Sequence, residues 1–148
     1  MTTVVHHATS ALVEDAPFSR RAATPARAGA PRRKPEAEIV KEGELYLCSL
    51  KRGYAHKVHG GQFGNVGEPD LDACVDGRAV KLEAKQPGKR PTGPQLGRLR
   101  RWAAAGALVG WFTNNEHIKQ LLDHLHDPVF VPDLSHPGCV CARHGGGQ

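Results

Sequence analysis

Asp70, Glu83 and Lys85 are the residues of this chain whose types and spacing could do chemistry together. They lie in GEPDLDACVDGRAVKLEAK, residues 67–85. Two short alternating runs flank Asp76-Gly77, and Asp-Gly in that setting signals a hairpin, because a type I′ turn needs φ > 0 at both central residues. A two-residue turn fixes the register. Val75 then faces Arg78, Asp72 faces Lys81, Asp70 faces Glu83 and Glu68 faces Lys85. Directly opposed residues have Cβ atoms about 4.5–5.5 Å apart, so Asp70 and Glu83 point the same way at contact distance. Like charges so placed repel, and a shared cation is the usual remedy. Glu83 and Lys85 are two apart and share a strand face.

Two carboxylates that could hold one hard metal, with an ammonium beside them, suit phosphodiester hydrolysis. Mg²⁺ or Mn²⁺ takes oxygen ligands plus water and substrate phosphate, and such a metal acidifies water and polarises the phosphoryl group. A lysine there helps activate the water or offsets charge building on the phosphate. The alternative reading is an ordinary hairpin whose charges form a solvated face, with Asp72–Lys81 and Glu68–Lys85 as its cross-strand pairs.

Pro69-Asp70, then twelve residues, then Glu83-Ala84-Lys85 resembles the PD-(D/E)XK nuclease signature. More narrowly, GEPDL, the hairpin, LEAK, the PGKRPTGPQ loop and a helix running into AAAGALVG, in that order, are similar to the VRR-NUC (virus-type replication-repair nuclease) family. The resemblance spans roughly residues 38–126. It implies an α/β, restriction-endonuclease-like αβββαβ core, a central mixed sheet flanked by helices. It also implies metal-dependent cleavage of DNA. Asp70, Glu83 and the backbone carbonyl of Ala84 are then the metal ligands, Lys85 acts on the attacking water, and Gln95 lies close to the catalytic face. Gln95 either only caps its helix or also touches the scissile phosphate or a metal-bound water. The first helix supplies a further carboxylate. The phrase EGELYLCSLKRGYAHKV is similar to archaeal Holliday-junction resolvases and favours Glu42, whereas spacing in VRR-NUC relatives favours Glu38.

Positioning these groups takes few elements. Residues 36–52 read as a first helix, with Ile39, Gly43, Tyr46, Leu47 and Leu50 on one face. Tyr54–His59 read as a strand, and the hairpin strands span about 69–75 and 78–86. Thr92-Gly93-Pro94-Gln95 fits a capping box at the start of a second helix that runs to about Ala105. ALVGWF, residues 107–112, is a buried-type strand, and a last helix follows over about 115–126.

The 148 residues carry a formal charge of +5. Residues 1–35 hold six Lys/Arg against Glu14 and Asp15 and read as a disordered basic tail. Residues 78–101 hold eight basic residues and one acid, Glu83, while 36–76 hold eight acids and four bases. A carboxylate cluster beside a basic band suits a metal site receiving a polyanion. Lys89, Arg90, Arg98 and Arg101 are the candidates for phosphate contact; DNA is the expected partner, with RNA an alternative. A homodimer is a further expectation, since junction and duplex cutters attack two strands.

Residues 36–128 read as the nuclease domain and 129–148 as a C-terminal extension. There His136, Cys139, Cys141 and His144 give H-x₂-C-x-C-x₂-H, four N/S donors of the kind Zn²⁺ takes. The alternative is a flexible tail with two thiols. No apolar run approaches the ~18 residues of a membrane helix, and the start lacks a secretory h-region. A cytoplasmic protein with reduced cysteines is expected. Two further readings remain: a non-cleaving nucleic-acid-binding module of the same fold, and a zinc-organised DNA-binding protein.

Overall fold

A computed structural model describes residues 32–59 and 66–139 of the chain. Most of the basic tail, residues 60–65, and Cys141 and His144 lie outside the described residues. The order is α1 (Glu36–Ser49), β1 (Gly53–Lys57), β2 (Leu71–Val75), β3 (Arg78–Ala84), α2 (Gly93–Ala104), β4 (Leu108–Phe112) and α3 (Asn115–Leu122). The four strands form one sheet in the order β1-β2-β3-β4. The first three are antiparallel and β4 joins β3 in parallel, so the sheet is mixed. The expected αβββαβ order is present, with α3 following it.

The hairpin has the register its turn dictates. Val75 pairs with Arg78 and Asp72 with Lys81. Asp76 and Gly77 have φ of 48° and 84°, as a type I′ turn requires.

The two sheet faces differ in chemistry. Leu71, Ala73 and Val75 of β2, Val80, Leu82 and Ala84 of β3, and Leu108 and Phe112 of β4 form the main core with Ile39, Val40 and Leu47 of α1 and Ile118 and Leu121 of α3. Helix α1 sits close because residue 43 is glycine: a Cβ there would lie 2.8 Å from the Phe112 ring. On the other face α2 packs over β3 and β4, with a smaller cluster of Leu99, Ala107 and Val109. Period-2 alternation sends Lys81, Glu83 and Lys85 to that face, and all three are buried.

Two helices end earlier than periodicity suggests. Helix α1 stops at Ser49 because Leu50 is extended and its carbonyl accepts from Gly53 N. Helix α3 stops at Leu122 where Arg78 intervenes: its Nη1 donates to the carbonyls of His124, Leu125 and Asp127 at 3.1, 2.7 and 2.9 Å. Residues 129–139 pack on the body. Trp111 Nε1 donates to Leu134 O, Gly138 N donates to Trp111 O, and Cys139 joins the core. No helix among the described residues is long and apolar enough to cross a membrane.

Candidate functional site

Glu83 lies at the end of β3 and is only 1% exposed. Its Oε1 accepts from Lys85 Nζ at 2.6 Å and from Gln95 Nε2 at 2.5 Å. Its Oε2 is buried with no hydrogen-bond partner. Burial pushes the Glu83 pKa up to about 7; Lys85 opposes that shift and Asp70 adds to it.

Asp70 immediately precedes β2. Its Oδ2 accepts from Ala84 N at 2.9 Å, standing in for the main-chain acceptor that the ladder no longer supplies. This bond fixes the Asp70 carboxylate beside the end of β3. The preceding turn is set by Gly67, whose φ is 84° and whose close approach to α2 would put a Cβ 2.8 Å from the Pro94 backbone.

Lys85 is buried as well. Burial opposes its charge, but the hydrogen bond to Glu83 and the neighbouring carboxylates of Glu83, Glu36 and Asp70 outweigh it, and its pKa is raised. It is therefore an ammonium at neutral pH. The predicted Lys85–Glu68 pair does not form. Glu68 instead faces Arg98 Nε at 3.3 Å, because the chain leaves the ladder at Asp70 and turns at Gly67 toward α2.

Gln95 sits at the third position of α2. Its Oε1 accepts from Thr92 N at 2.8 Å, completing the capping box, while Nε2 reaches Glu83. The cap defines the amide's orientation: only the oxygen can accept from Thr92 N–H, so the NH₂ must face the carboxylate. Capping and the site are therefore served by one side chain.

The α1 carboxylate next to Lys85 is Glu36, whose Oε1 lies 3.4 Å from Lys85 Nζ. Glu42 is held by Lys34 at 2.6 Å, and Glu38 is exposed on the same side, where it helps raise the Lys34 pKa. Sequence reasoning missed Glu36 because it opens the helix. The signal was there: Glu36, Ile39, Val40, Gly43 and Leu47 recur at three and four residues, so Glu36 extends the buried stripe.

Basic residues flank the site. Gln86 Nε2 donates to Lys34 O at 3.1 Å, which brings the run Arg32-Arg33-Lys34 to the end of β3. Lys89 and Arg90 are exposed on the loop before α2, and Arg101 is exposed on α2, whereas Arg98 is shared with Glu68. A groove of about 690 Å³ lies elsewhere, lined by α2 residues, Trp111 and residues 131–135. Its lining holds one carboxylate, Asp133, and does not include Asp70, Glu83 or Lys85.

Among the described residues no group of three or more His, Cys, Asp or Glu closes on one point. The Asp70–Glu83 pair nevertheless suits a hard cation: two carboxylates converge and a buried oxygen, Glu83 Oε2, is unpartnered. Of the C-terminal donors, the two described, His136 and Cys139, have different partners. Cys139 is buried with Sγ 3.3 Å from His124 Nε2, while exposed His136 bonds Ser135 Oγ through Nδ1. Cys48 and Cys74 are exposed.

No protein-family model matches the chain, and no curated protein matches it. Two solved structures share its fold. One, described as "VRR_NUC domain", is 24% identical, covers 60% of this chain and 95% of its own, and has a TM-score of 0.51. The other, "VRR_NUC domain protein", is 18% identical over 62% of this chain and 91% of its own, also at 0.51. The fold is thus that of the family whose motifs the sequence resembles.

Proposed function

We propose that the chain is a metal-dependent nuclease hydrolysing DNA phosphodiester bonds, with Mg²⁺ or Mn²⁺ held by Asp70 and Glu83. The observation that carries this reading is Glu83 itself. Buried polar groups are normally satisfied, and a bare buried carboxylate oxygen is costly. A cation between it and Asp70 removes both the vacancy and the repulsion. The all-oxygen donor set favours Mg²⁺ or Mn²⁺, and the Ala84 carbonyl is available on the same strand end. When bound, the ion supplies Lewis acidity at the phosphoryl oxygen and a more acidic water.

The chain's own residues prepare that site. Gln95 and Lys85 occupy Glu83 Oε1 and leave Oε2 without a hydrogen bond, available to a cation. Lys85, being protonated, donates to negative charge that develops on the phosphate rather than taking a proton from water. Glu36, 3.4 Å from the same ammonium, steadies it further. The N-termini of α1 and α2 both approach the end of β3 through Glu36 and Gln95, and their dipoles favour a phosphate. Arg32, Arg33, Lys89, Arg90 and Arg101 supply the sequence-independent grip on the backbone.

The experiment is cleavage of labelled duplex, single-stranded, nicked, flap and four-way DNA by the purified chain with Mg²⁺ or Mn²⁺. Metal-dependent products that vanish in Glu83→Ala support the proposal, and the preferred substrate identifies the structure selectivity. Full cleavage in excess EDTA would overturn it. Tight binding with no cleavage of any substrate in either metal would establish the non-cleaving module instead.

A further inference from the structure

We propose that the groove between α2 and residues 131–135 is a nucleotide site separate from the cleavage centre, taking the base and phosphate of one unpaired nucleotide. The chemistry is that of a nucleotide, free or in an unpaired stretch of DNA. The nuclease reading, on which the inference rests for this point, makes DNA the expected source.

Helix α2 separates the two places. Gln95, Arg98 and Trp102 make one flank, where they meet Glu83, Glu68 and Lys81. Leu96, Arg100, Ala103 and Ala104 recur at helical spacing on the other flank and line the groove. Its volume of about 690 Å³ is that of a small-molecule site. A smaller cavity of about 290 Å³ adjoins it, since Arg90, Trp111 and Ser135 line both. Trp111 is the ladder partner of Glu83, so the groove reaches to one strand from the carboxylate pair. Its outer wall is pinned in place: Trp111 Nε1 donates to Leu134 O at 3.0 Å, and Gly138 N donates to Trp111 O at 2.9 Å.

The lining combines apolar surface with unpaired cations. Leu96, Val109, Trp111 and Leu134 make the larger cavity apolar, and Arg90 and Arg100 add two guanidinium groups. Both arginines are exposed, and among the described residues neither has an ion pair or a side-chain hydrogen bond, so both are open to an anion. The one lining carboxylate, Asp133, is already engaged: it accepts from Ser135 N at 2.9 Å and Ser135 Oγ at 2.7 Å and lies 3.6 Å from His136 Nδ1. Apolar surface beside guanidinium planes suits a nucleobase, which stacks on both. Lys89, Arg90 and His136 in the adjoining cavity suit its phosphate. Only an unpaired base can enter, because a paired one is held inside the duplex stack. The chain's own N-terminal tail has the wrong sign for this lining, with six bases against two acids over residues 1–35.

The test is binding of labelled DNA to the full chain in EDTA, so that neither metal nor cleavage enters. Two probes with equal numbers of phosphates are compared, a blunt duplex and a duplex ending in a single-stranded adenine overhang. The overhang probe should bind about tenfold tighter, the scale of one stacked base. Ala104→Trp fills the groove without changing its charge and should abolish that preference, and Arg100→Gln should lower it severalfold. Lys51→Gln, which removes one charge at the exposed turn after α1, should leave the preference unchanged. Thermal melts establish that each variant is folded. Deoxyadenosine monophosphate serves as competitor: if it removes the overhang advantage, the site takes nucleotides free or in DNA, and if the advantage persists, it takes them in DNA alone. Equal wild-type affinity for the two probes would overturn the proposal, as would a full overhang preference in folded Ala104→Trp. An overhang preference in a chain that cleaves no substrate with Mg²⁺ or Mn²⁺ would keep the groove and overturn the nuclease reading. Metal-dependent cleavage without that preference would do the reverse.

Discussion

Gln95 bridges two elements: its amide caps α2 through Thr92 and donates to Glu83 on β3. Gln95→Ala removes both contacts. Loss of the cap should cost about 1 kcal/mol of stability. Loss of the charge-assisted bond should lower single-turnover cleavage by about ten- to a hundredfold, since such bonds are worth roughly 1.5–3 kcal/mol. Gln95→Glu can still accept from Thr92 but presents a second carboxylate to Glu83, so it should cleave worse than alanine while melting near wild type. Cleavage equal to wild type in both variants would show that the bridge is structural only.

Glu83 makes stability depend on pH. Its folded pKa of about 7 lies above the ordinary carboxylate value, so the folded state favours its protonated form. The stability this contributes is fully present below about pH 4 and is lost as pH rises through about 7. In metal-free buffer Glu83→Gln should therefore melt above wild type at pH 8, by up to about 3 kcal/mol. At pH 4 the two should melt together. A glutamine variant that melts below wild type at pH 8 would show that the buried charge is already compensated.

The same proton competes with the proposed cation for Glu83. Metal affinity should fall about tenfold per pH unit below pH 7 and level off above it, because the ligand must first be deprotonated. Binding should release a fraction of a proton at pH 7, measurable by calorimetry in two buffers of different ionisation enthalpy. An affinity flat between pH 5.5 and 8 would remove Glu83 from the ligand set.

The raised pKa of Lys85 suits the role of a charged donor in the proposed site. Lys85→Met keeps its length but leaves Glu83 with Gln95 alone, and should cut the rate at least ~100-fold, like loss of one charge-stabilising donor. Glu36→Gln, which only relaxes the ammonium, should cost less, about tenfold or below. Lys85→Met at wild-type rate when folded would assign the residue to stability.

Arg78 is the structural residue the motifs did not announce. Its guanidinium donates to Gly106 O as well as to the three carbonyls after α3. Arg78→Ala should destabilise by roughly 2–4 kcal/mol, since several part-buried charged bonds go at once. Arg78→Lys should recover little, because an ammonium cannot span the same set of carbonyls. Denaturant unfolding measures both, and a loss below about 0.5 kcal/mol would place Arg78 among ordinary surface residues.

The order of elements, the hairpin register and the nearness of Asp70, Glu83 and Lys85 were readable from the chain. All three follow from local rules: period two along a strand, positive φ at Asp76-Gly77, and a capping box at Thr92. Local rules also placed Gln95 at a helix start, but not its bond to Glu83, which requires α2 to lie across β3. The contacts made across elements were not local. Glu36 rather than Glu38 or Glu42 meets Lys85, because it shares the face of α1 that packs Gly43 against the Phe112 ring. Glu68 turns to Arg98 because Gly67 leaves the ladder. Cys139 lies against His124 rather than His136, because the chain after α3 folds back along Trp111. Sequence spacing fixes which residues share a face within one element; only packing decides which faces meet.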